Sequence, residues 1–344
     1  MGIKSIELNN FTVFTDEKIN FTGGLNVIVG PNGVGKSHLL KLIYASAQAL
    51  ESKVAFSQKI VNCFLPDDYR ISRLVQRHQG ANNATVKVTS CDRNLIKGKT
   101  IGISFNSKTN KWDAEVKGEK AWEAQAPIIR STFIPAKEIL SNAYNLNAAV
   151  EKSNVSFDDT YLDIINSAKI DVSVGKNSAK KDALLKQIEK IIGGKVVYDA
   201  KKDEFYLKQG GKNLEFPLVA EGVRKIALLW QLVKNGTLED GSILLWDEPE
   251  ANINPIYVPI IVDILLELQR NGVQIFVSTH DYFVSKYVDV RKSEQDKVQF
   301  LALYQTDSDG VKCETGKSFK GLKNNTIMDT FISLYEEEIG KVMD

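Results

Sequence analysis

The stretch GPNGVGKS at residues 30–37 decides how this chain folds. It matches the pattern G-x-x-x-x-G-K-[ST], in which glycines let the backbone curl around phosphate oxygens. The apolar run before it, Leu25–Val29, predicts a buried strand, and the segment after it, 37–50, predicts a helix. This order turns backbone N–H groups and the positive end of the helix dipole toward an anion. The sequence therefore predicts a phosphate-binding loop between a strand and a helix.

Within this loop, each residue type suits one part of a nucleoside triphosphate. Lys36 is expected to reach the terminal phosphates, and the Ser37 hydroxyl is expected to hold magnesium. A glycine-rich turn that matches the pattern by chance is the alternative, and the flanking strand and helix count against it. The residues that we expect to bind the nucleotide are Asn32, Gly33, Val34, Gly35, Lys36, Ser37 and His38.

A second motif, SILLWDEP at residues 242–249, places two carboxylates at the end of an apolar strand. Ligands of parallel sheets bind at the carboxyl ends of the strands. We therefore expect Asp247 to bind magnesium and Glu248 to orient or deprotonate the attacking water, the two tasks that phosphoryl transfer gives to protein carboxylates. A solvated acidic turn is the alternative for this motif alone, and the loop at residues 30–37 counts against it.

A third strand, predicted at residues 273–277, is followed by STHD at 278–281. His280 is one of three histidines in the chain, and it lies beyond a strand end. A neutral imidazole there could contact the γ-phosphate or the attacking water. A structural histidine is the alternative, but the order of strand, acidic pair, helix, strand and histidine favours a functional one.

Together these motifs resemble the ATPase heads of the ATP-binding-cassette (ABC) superfamily, in its RecF, SMC and OLD-like branch. The opening IKSIELNNFTVF at residues 3–14 is similar to that branch's first strand, DEPEANINP at 247–255 to its Walker B segment and D-loop, and STHD at 278–281 to its H-switch. FIPAKEIL at 133–140 and AEGVRK at 220–225 resemble stand-alone bacterial ATPases of the AAA15 and AAA21 type. The resemblance covers both ends of the chain and thins in the middle.

This resemblance implies an α/β fold: a P-loop NTPase of ABC-ATPase type, with two lobes, a mixed β-sheet core, a flanking antiparallel β-layer and a helical lobe. It implies ATP and Mg²⁺ as cofactors and hydrolysis of ATP to ADP and phosphate, with Lys36, Glu248 and His280 as catalytic residues. Two copies would enclose ATP head to tail, as a homodimer or a higher homo-oligomer. Members of this group are often encoded beside an effector in phage-defence or abortive-infection systems, which predicts a separate nuclease or toxin as partner.

The signature segment departs from the family's pattern. In relatives it begins Ser-Gly-Gly and reaches across the dimer to the opposite γ-phosphate, but residues 220–222 here read Ala-Glu-Gly. Gly222 stays a candidate for that contact. Arg224 or Lys225 could supply the missing donors, because a guanidinium stabilises developing phosphate charge. The alternative is that both cations only cap or decorate the helix predicted at 223–233.

Two other positions depart from the pattern as well. The glutamine that senses magnesium in relatives is absent near residues 135–138, where Lys137 or Glu138 could take its place. Thr12 stands where relatives often carry a basic residue.

The length and composition fit a single ABC-type ATPase domain over residues 1–344. Of the 344 residues, 43% are hydrophobic and 25% are charged, as in an ordinary globular protein. We divide the chain into an N-terminal lobe with the phosphate loop and β-layer (1–135), a helical and hairpin insert (136–215), and a C-terminal part with the signature helix, Walker B, H-switch and terminal helix (216–344).

Periodicity predicts the elements between the motifs. Alternating segments at 85–89, 101–105 and 112–116 predict a β-meander, and residues 127–134 a strand that returns to the core. The insert predicts a helix at 183–192 and a hairpin from strands at 195–198 and 204–207. It lacks the sustained heptads of an SMC coiled-coil arm. A terminal helix at 326–342 carries an apolar stripe that suits core packing better than docking of a partner: Ile327, Phe331, Leu334 and Ile339.

Charge and targeting signals bear on partners and location. The net charge of +1 gives no global attraction to nucleic acid. Residues 176–212 carry ten lysines against five acids, which could bind phosphates without reading sequence, although a solvated lysine-rich face is the commoner explanation. No apolar run approaches the roughly 18 residues of a membrane span and no signal peptide is evident, so we expect a cytoplasmic protein without a membrane partner. Three widely spaced cysteines argue against disulfides or zinc.

The function that these features favour is an ATP-driven switch that controls a separate effector. A DNA-repair or DNA-end-binding ATPase would use the same head with the lysine-rich segment on phosphates. A transporter energy subunit would need a membrane partner and an orthodox signature. A scaffold that holds ATP but scarcely cleaves it is favoured by the altered signature, whereas Glu248 argues against it.

Overall fold

The computed structural model describes residues 2–51, 54–77, 83–91, 98–124, 130–152, 156–172, 177–306 and 310–343. Fourteen strands lie in these ranges. They are β1 (Gly2–Phe11), β2 (Phe14–Asn20), β3 (Leu25–Val29), β4 (Asn83–Cys91), β5 (Thr100–Asn106), β6 (Glu115–Lys117), β7 (Ser131–Ile134), β8 (Lys195–Asp199), β9 (Glu204–Gln209), β10 (Lys212–Glu215), β11 (Ile243–Asp247), β12 (Gln274–Thr279), β13 (Val298–Thr306) and β14 (Gly310–Gly316).

The same ranges contain ten α-helices, and those predicted at 37–50, 183–192, 223–233 and 326–342 are among them. The ten are α1 (Lys36–Glu51), α2 (Phe56–Phe64), α3 (Glu119–Glu123), α4 (Leu146–Glu151), α5 (Asp159–Lys169), α6 (Ala179–Ile192), α7 (Glu221–Lys234), α8 (Val258–Arg270), α9 (Tyr282–Arg291) and α10 (Thr326–Met343). Within the described ranges, none of the helices is both long and apolar enough to cross a lipid bilayer.

Eleven strands form one mixed sheet in the order β6-β5-β4-β1-β2-β14-β13-β3-β12-β11-β7. The five strands from β13 to β7 are parallel, and β3, β11 and β12 are buried along their whole length. Strands that are covered on both faces need continuous apolar runs, which is why these three were readable from the sequence. Val27 packs in a core that includes α7 and α8, and the next residue, Ile28, packs against α1 on the other face.

The register of the parallel strands places their carboxyl ends at one edge of the sheet. Val29 lies opposite Thr279, and Asp247 lies opposite Ser278. The chain segments that follow β3, β11 and β12 therefore start side by side. These segments carry the phosphate loop, Glu248 and His280, and so the sheet itself assembles the three predicted motifs.

The predicted β-meander is confirmed as β4, β5 and β6, although its last strand is shorter than expected. The antiparallel layer is not separate from the core, because β4 pairs with β1 and extends the same sheet. The return strand is confirmed over Ser131–Ile134. Residues 127–129 of that prediction lie outside the described ranges.

A helical lobe packs on α1 and α2 through charged groups. Lys59 on α2 forms ion pairs with Asp159 (2.7 Å) and Asp163 (2.6 Å) on α5, and Lys41 on α1 pairs with Asp158 (2.7 Å). The predicted hairpin is present as β8 and β9, and β10 extends it to a three-stranded sheet. The helix that follows the phosphate loop is thus tied directly to this lobe.

The prediction that the α10 stripe packs into the core is wrong for its outer half. Ile327 is partly buried, and the Phe331 ring stacks on Tyr282 with 3.8 Å between ring centroids. Leu334 and Ile339 are 63% and 42% exposed. The helix leaves the body of the protein after Phe331, so the same apolar face continues where the described chain offers no surface to cover it.

We predict that Asp296→Asn lowers the free energy of unfolding at pH 7 by about 1–2 kcal/mol. Arg270 donates two hydrogen bonds to Asp296, at 2.8 and 2.7 Å, and this pairing lowers the pKa of Asp296 to about 2. A carboxyl whose pKa is lowered by folding stabilises the fold above its unfolded pKa, and that stability disappears as pH falls to the folded pKa. Urea unfolding should show the difference between Asp296→Asn and the unmodified chain shrinking between about pH 4 and pH 2. A difference independent of pH in this window would contradict the ion-pair account.

Candidate nucleotide site

The phosphate loop needs glycine at position 35 for two reasons. Gly35 has φ of +88°, a conformation that side chains disfavour. A Cβ atom at this position would also lie 2.7 Å from Val13 Cγ2 and 2.9 Å from the Phe14 ring. The turn between β1 and β2 therefore closes on the loop, and only glycine allows the approach.

Lys36 begins α1 and is buried, with 7% of its surface exposed. Its ammonium donates hydrogen bonds to the carbonyl oxygens of Gly30 (2.7 Å) and Pro31 (2.9 Å), so it lies inside the curl of the loop. Burial lowers the pKa of Lys36, while the charges of Glu248, Asp247 and others oppose this shift. The charges of the two carboxylates at the end of β11 thus act on this ammonium.

The other loop residues differ in what they can offer a phosphate. Asn32 and Gly33 are exposed, whereas the Val34 side chain is buried in the core. Val34 could therefore contact a nucleotide only through its backbone. Ser37 also lies in the first turn of α1, and its hydroxyl oxygen is the kind of ligand that a hard cation prefers.

His38 sits one residue further into α1. Its Nδ1 atom is buried and has no hydrogen-bond partner within the described residues, and its ring lies 5.3 Å from that of Phe64. Burial, followed by the charge of Lys41, lowers the pKa of His38. The imidazole is therefore neutral at physiological pH. Its predicted contact with nucleotide stays a prediction.

Hydrogen bonds join the ends of β11 and β12. Asp247 is 9% exposed and accepts a hydrogen bond from the Ser278 hydroxyl. The Glu248 N–H donates to the Ser278 carbonyl oxygen at 2.9 Å. Glu248 itself has φ of +48°. A left-handed backbone at a residue other than glycine costs about 1–3 kcal/mol and is typical of functional sites.

His280 lies next to Glu248. The His280 Nδ1 atom is 3.2 Å from Glu248 Oε1, and the two side chains are 47% and 30% exposed. The structure thus brings together the acidic pair, the histidine and the phosphate loop as the sequence motifs indicated.

The two cations of the signature helix make contacts within their own chain. Arg224 Nε lies 2.6 Å from the Glu138 carboxylate, and Nη1 donates to the carbonyl oxygens of Phe216 and Val219. Lys225 is 1% exposed, and its ammonium donates to the Ala251 carbonyl oxygen at 2.7 Å. Neither cation merely decorates the helix: Arg224 ties it to Glu138, and Lys225 ties it to the segment that follows the acidic pair.

Gly222 packs against the D-loop of the same chain. A Cβ atom there would lie 2.8 Å from the Asn252 carbonyl oxygen and 3.2 Å from Ile253 Cα. Asn252 also donates a hydrogen bond to Glu221 at 2.8 Å. The contact of Gly222 and Arg224 with the ATP of a second copy stays a prediction.

Sequence reasoning missed Glu250, which belongs to the same edge. Its carboxylate accepts a hydrogen bond from the Thr279 hydroxyl at 2.6 Å and one from the His280 N–H at 3.4 Å. Burial raises the pKa of Glu250. The signal was available as a second acidic residue in DEPE, at 247–250, but the spacing alone did not indicate that this side chain folds back onto β12.

The donors present suit a nucleotide with magnesium. The loop supplies N–H groups and an ammonium for phosphates, while Ser37 and Asp247 offer the oxygen ligands that magnesium prefers. Within the described ranges, no three His, Cys, Asp or Glu residues cluster closely enough to hold a metal ion. Magnesium sites commonly use one or two protein oxygens and take the remaining ligands from phosphate and water.

The fold and the site together define a P-loop nucleotide-binding protein of the ABC-ATPase type. More specifically, the chain belongs to the family described as "AAA domain, putative AbiEii toxin, Type IV TA system", whose model matches residues 94–285, more than half of its length. The family described as "AAA ATPase domain" matches residues 1–64, which include the phosphate loop.

Curated relatives and solved structures agree with this assignment. The DNA replication and repair protein RecF of Streptococcus gordonii is 28% identical over 93 residues, which are 27% of this chain and 26% of that protein. The chain thus matches about a quarter of the length of this relative. An SMC head bound to the C-terminal winged-helix domain of ScpA superposes with a TM-score of 0.58 at 14% identity, covering 92% of this chain and 98% of that one. The SMC head of Thermotoga maritima gives 0.52 at 13% identity, covering 92% and 100%. At these identities the structures support the fold.

We predict that Lys36→Ala weakens binding of magnesium ATP by at least about 100-fold, because it removes charge-assisted hydrogen bonds worth about 1.5–3 kcal/mol each. Glu248→Gln should bind ATP within a few-fold of the unmodified protein, because Glu248 is assigned to the attacking water. Isothermal titration calorimetry measures both, with circular dichroism to establish that each variant is folded. An equal loss of binding in the two variants would refute the role assigned to Glu248.

Proposed function

We propose that this protein is a magnesium-dependent ATPase that works as a switch, with two copies enclosing ATP head to tail. The observation that carries the proposal is the meeting of Lys36, Asp247 and the Glu248–His280 pair at one edge of the sheet. A loop alone would support nucleotide binding, whereas the carboxylate–imidazole pair adds the groups that hydrolysis requires.

Each residue of this site takes one task in the proposed reaction. Lys36 and the loop N–H groups offset charge on the phosphate oxygens, and Ser37 and Asp247 hold magnesium, which supplies further positive charge when bound. Glu248 orients the attacking water and accepts its proton. His280, held beside Glu248, senses the γ-phosphate through its second ring nitrogen.

The surface around the site supports pairing of two copies. Leu218 lies just before the signature segment and is 70% exposed, and Ile256, which follows the D-loop, is 69% exposed. Single exposed apolar side chains are common on protein surfaces, and the position of these two beside the signature segment and the D-loop is what connects them with the site. Both suit contact with a second copy, as a homodimer or within a higher homo-oligomer.

We further propose that the ATP state controls a separate effector, a nuclease or toxin, within an antiphage or abortive-infection system. The description of the matched family, with its putative AbiEii toxin and type IV toxin–antitoxin system, supports this link. Binding and loss of a γ-phosphate commonly switch proteins by ordering or releasing a contact surface. The closed pair would then differ from the open one in what it presents to the effector.

A second candidate function is binding of DNA, and a lysine cluster favours it. Four exposed lysines surround the turn at residues 193–194, where α6 gives way to β8. Clustered ammonium groups bind a phosphate backbone without reading its sequence. The relative RecF is described as a DNA replication and repair protein, which is compatible with this alternative. The four residues are Lys186, Lys190, Lys195 and Lys208.

The pairing is tested with Glu248→Gln by size-exclusion chromatography with light scattering. With ATP and magnesium, we expect the mass to rise from that of one chain to about twice that value, because blocked hydrolysis preserves the closed pair. The double variant Lys36→Ala with Glu248→Gln is the matched control and should stay unchanged. If nucleotide binds and the mass does not change, the altered signature no longer closes an interface, and the scaffold function replaces the switch.

The DNA alternative is tested by fluorescence anisotropy with a labelled duplex over a series of salt concentrations. Replacing the four clustered lysines by glutamine should reduce the slope of log K against log salt by about 3–4, since each phosphate contact contributes about 0.9. A matched variant at Lys99, Lys108, Lys117 and Lys120, also exposed, should leave the slope unchanged. No binding by the unmodified protein at low salt would exclude this alternative.

A further inference from the structure

Glu250 lies where the ends of β11 and β12 and the D-loop meet. One carboxylate oxygen, Oε1, accepts the Thr279 hydroxyl at 2.6 Å and the His280 N–H at 3.4 Å. The other oxygen, Oε2, is buried and has no hydrogen-bond partner within the described ranges. The side chain therefore holds the residue before the imidazole and the backbone of His280 itself.

Further hydrogen bonds link Thr279, the residue before His280, to Asp281, the residue after it. The Thr279 hydroxyl donates to Glu250, and its oxygen accepts the Asp281 N–H at 2.9 Å. Asp281 in turn caps α9 by accepting the Val284 N–H at 2.7 Å. The residues on both sides of His280 are thus held, while the imidazole is 47% exposed. Its backbone anchors, rather than packing, keep the ring beside Glu248.

The charge of Glu250 affects the pKa of two buried lysines. Burial lowers the pKa of both Lys36 and Lys225, and Glu250 is among the carboxylates that oppose this shift. Lys36 belongs to the phosphate loop, and Lys225 belongs to the signature helix. Glu250 therefore lies within electrostatic range of both parts of the proposed ATP site.

A buried carboxylate oxygen without a partner costs about 1–3 kcal/mol, which an apolar side chain would avoid. The presence of such a group beside the Glu248–His280 pair points to a role in the site rather than in stability. Asp247 and Glu248 already account for the metal and water tasks, which leaves the orientation of His280 as the task that the contacts of Glu250 can perform.

We propose that Glu250 is a positioning residue for ATP hydrolysis: by accepting the Thr279 hydroxyl and the His280 N–H, it holds the His280 imidazole against Glu248. This inference rests on the proposed ATPase function. It differs from a role in nucleotide binding, because Glu250 contacts the strand end that carries His280. Loss of Glu250 should therefore slow the chemical step and leave the affinity for ATP nearly unchanged.

Four variants separate this role from a structural one. Glu250→Ala and Thr279→Val remove the acceptor and the donor of the 2.6 Å hydrogen bond, respectively. Glu250→Gln keeps an acceptor oxygen of the same shape, and Thr279→Ser keeps the hydroxyl. We expect the first two to lower kcat by about 10–100-fold with KM for ATP within about threefold, as small misplacements of a reacting group do. The two conservative variants should recover most of that loss.

The second readout is the ¹H–¹⁵N spectrum of the imidazole rings, recorded without nucleotide. With three histidines in the chain, the His280 signals are assigned by comparison with His280→Ala. They should shift in Glu250→Ala and in Thr279→Val and remain close to those of the unmodified protein in Glu250→Gln and Thr279→Ser. Circular dichroism checks that each variant is folded, and if Glu250→Ala is not, the Thr279 pair decides the question.

The outcomes distinguish failure of the positioning role of Glu250 from failure of the proposed ATPase function. A kcat and imidazole signals that are unchanged in both Glu250→Ala and Thr279→Val overturn the positioning role. A raised KM at constant kcat overturns it as well, in favour of nucleotide binding. If the unmodified protein does not hydrolyse ATP, the proposed function fails, but the imidazole signals still report whether Glu250 holds His280.

Discussion

The chemistry of this protein depends on the parallel pairing of β3, β12 and β11. Their register brings Val29, Thr279 and Asp247 to the same edge of the sheet, so that the phosphate loop, the histidine and the acidic pair begin side by side. A slip of one residue would turn each side chain to the opposite face and disrupt the close packing of the two cores that the sheet separates. The arrangement of charged groups at the edge is therefore set by apolar packing within the sheet.

Much of this edge could be predicted from local patterns. The loop is specified by glycine positions between a strand and a helix, and the two carboxylates and His280 each follow an apolar run that reads as a buried strand. The contacts of Arg224, Lys225 and Glu250 could not be predicted in this way. Arg224 and Glu138 are 86 residues apart, and their pairing depends on how the helical lobe packs. Sequence identifies a cation on a helix, but only the fold selects its acceptor.

For the terminal helix, the secondary structure was predicted correctly but the burial of its apolar side chains was not. Periodicity correctly indicated that one side of α10 is apolar. It carries no information on whether the chain supplies a surface for that side, and Leu334 is instead 63% exposed. The antiparallel strands β4, β5 and β6 were likewise predicted in the correct order along the sequence. That they extend the main sheet depends on the long-range pairing of β1 with β4, which local patterns do not indicate.

The contact between the Lys225 ammonium and the Ala251 carbonyl oxygen has an energetic consequence. It joins the first turns of α7 to the segment that follows the acidic pair, so neither moves without a cost to the other. If a binding event that shifts α7 changes the affinity of a ligand at the carboxylates, thermodynamic reciprocity requires that ligand to change the affinity of α7 for its neighbour by the same factor. One buried lysine thus links the position of α7 to that of the segment after the acidic pair.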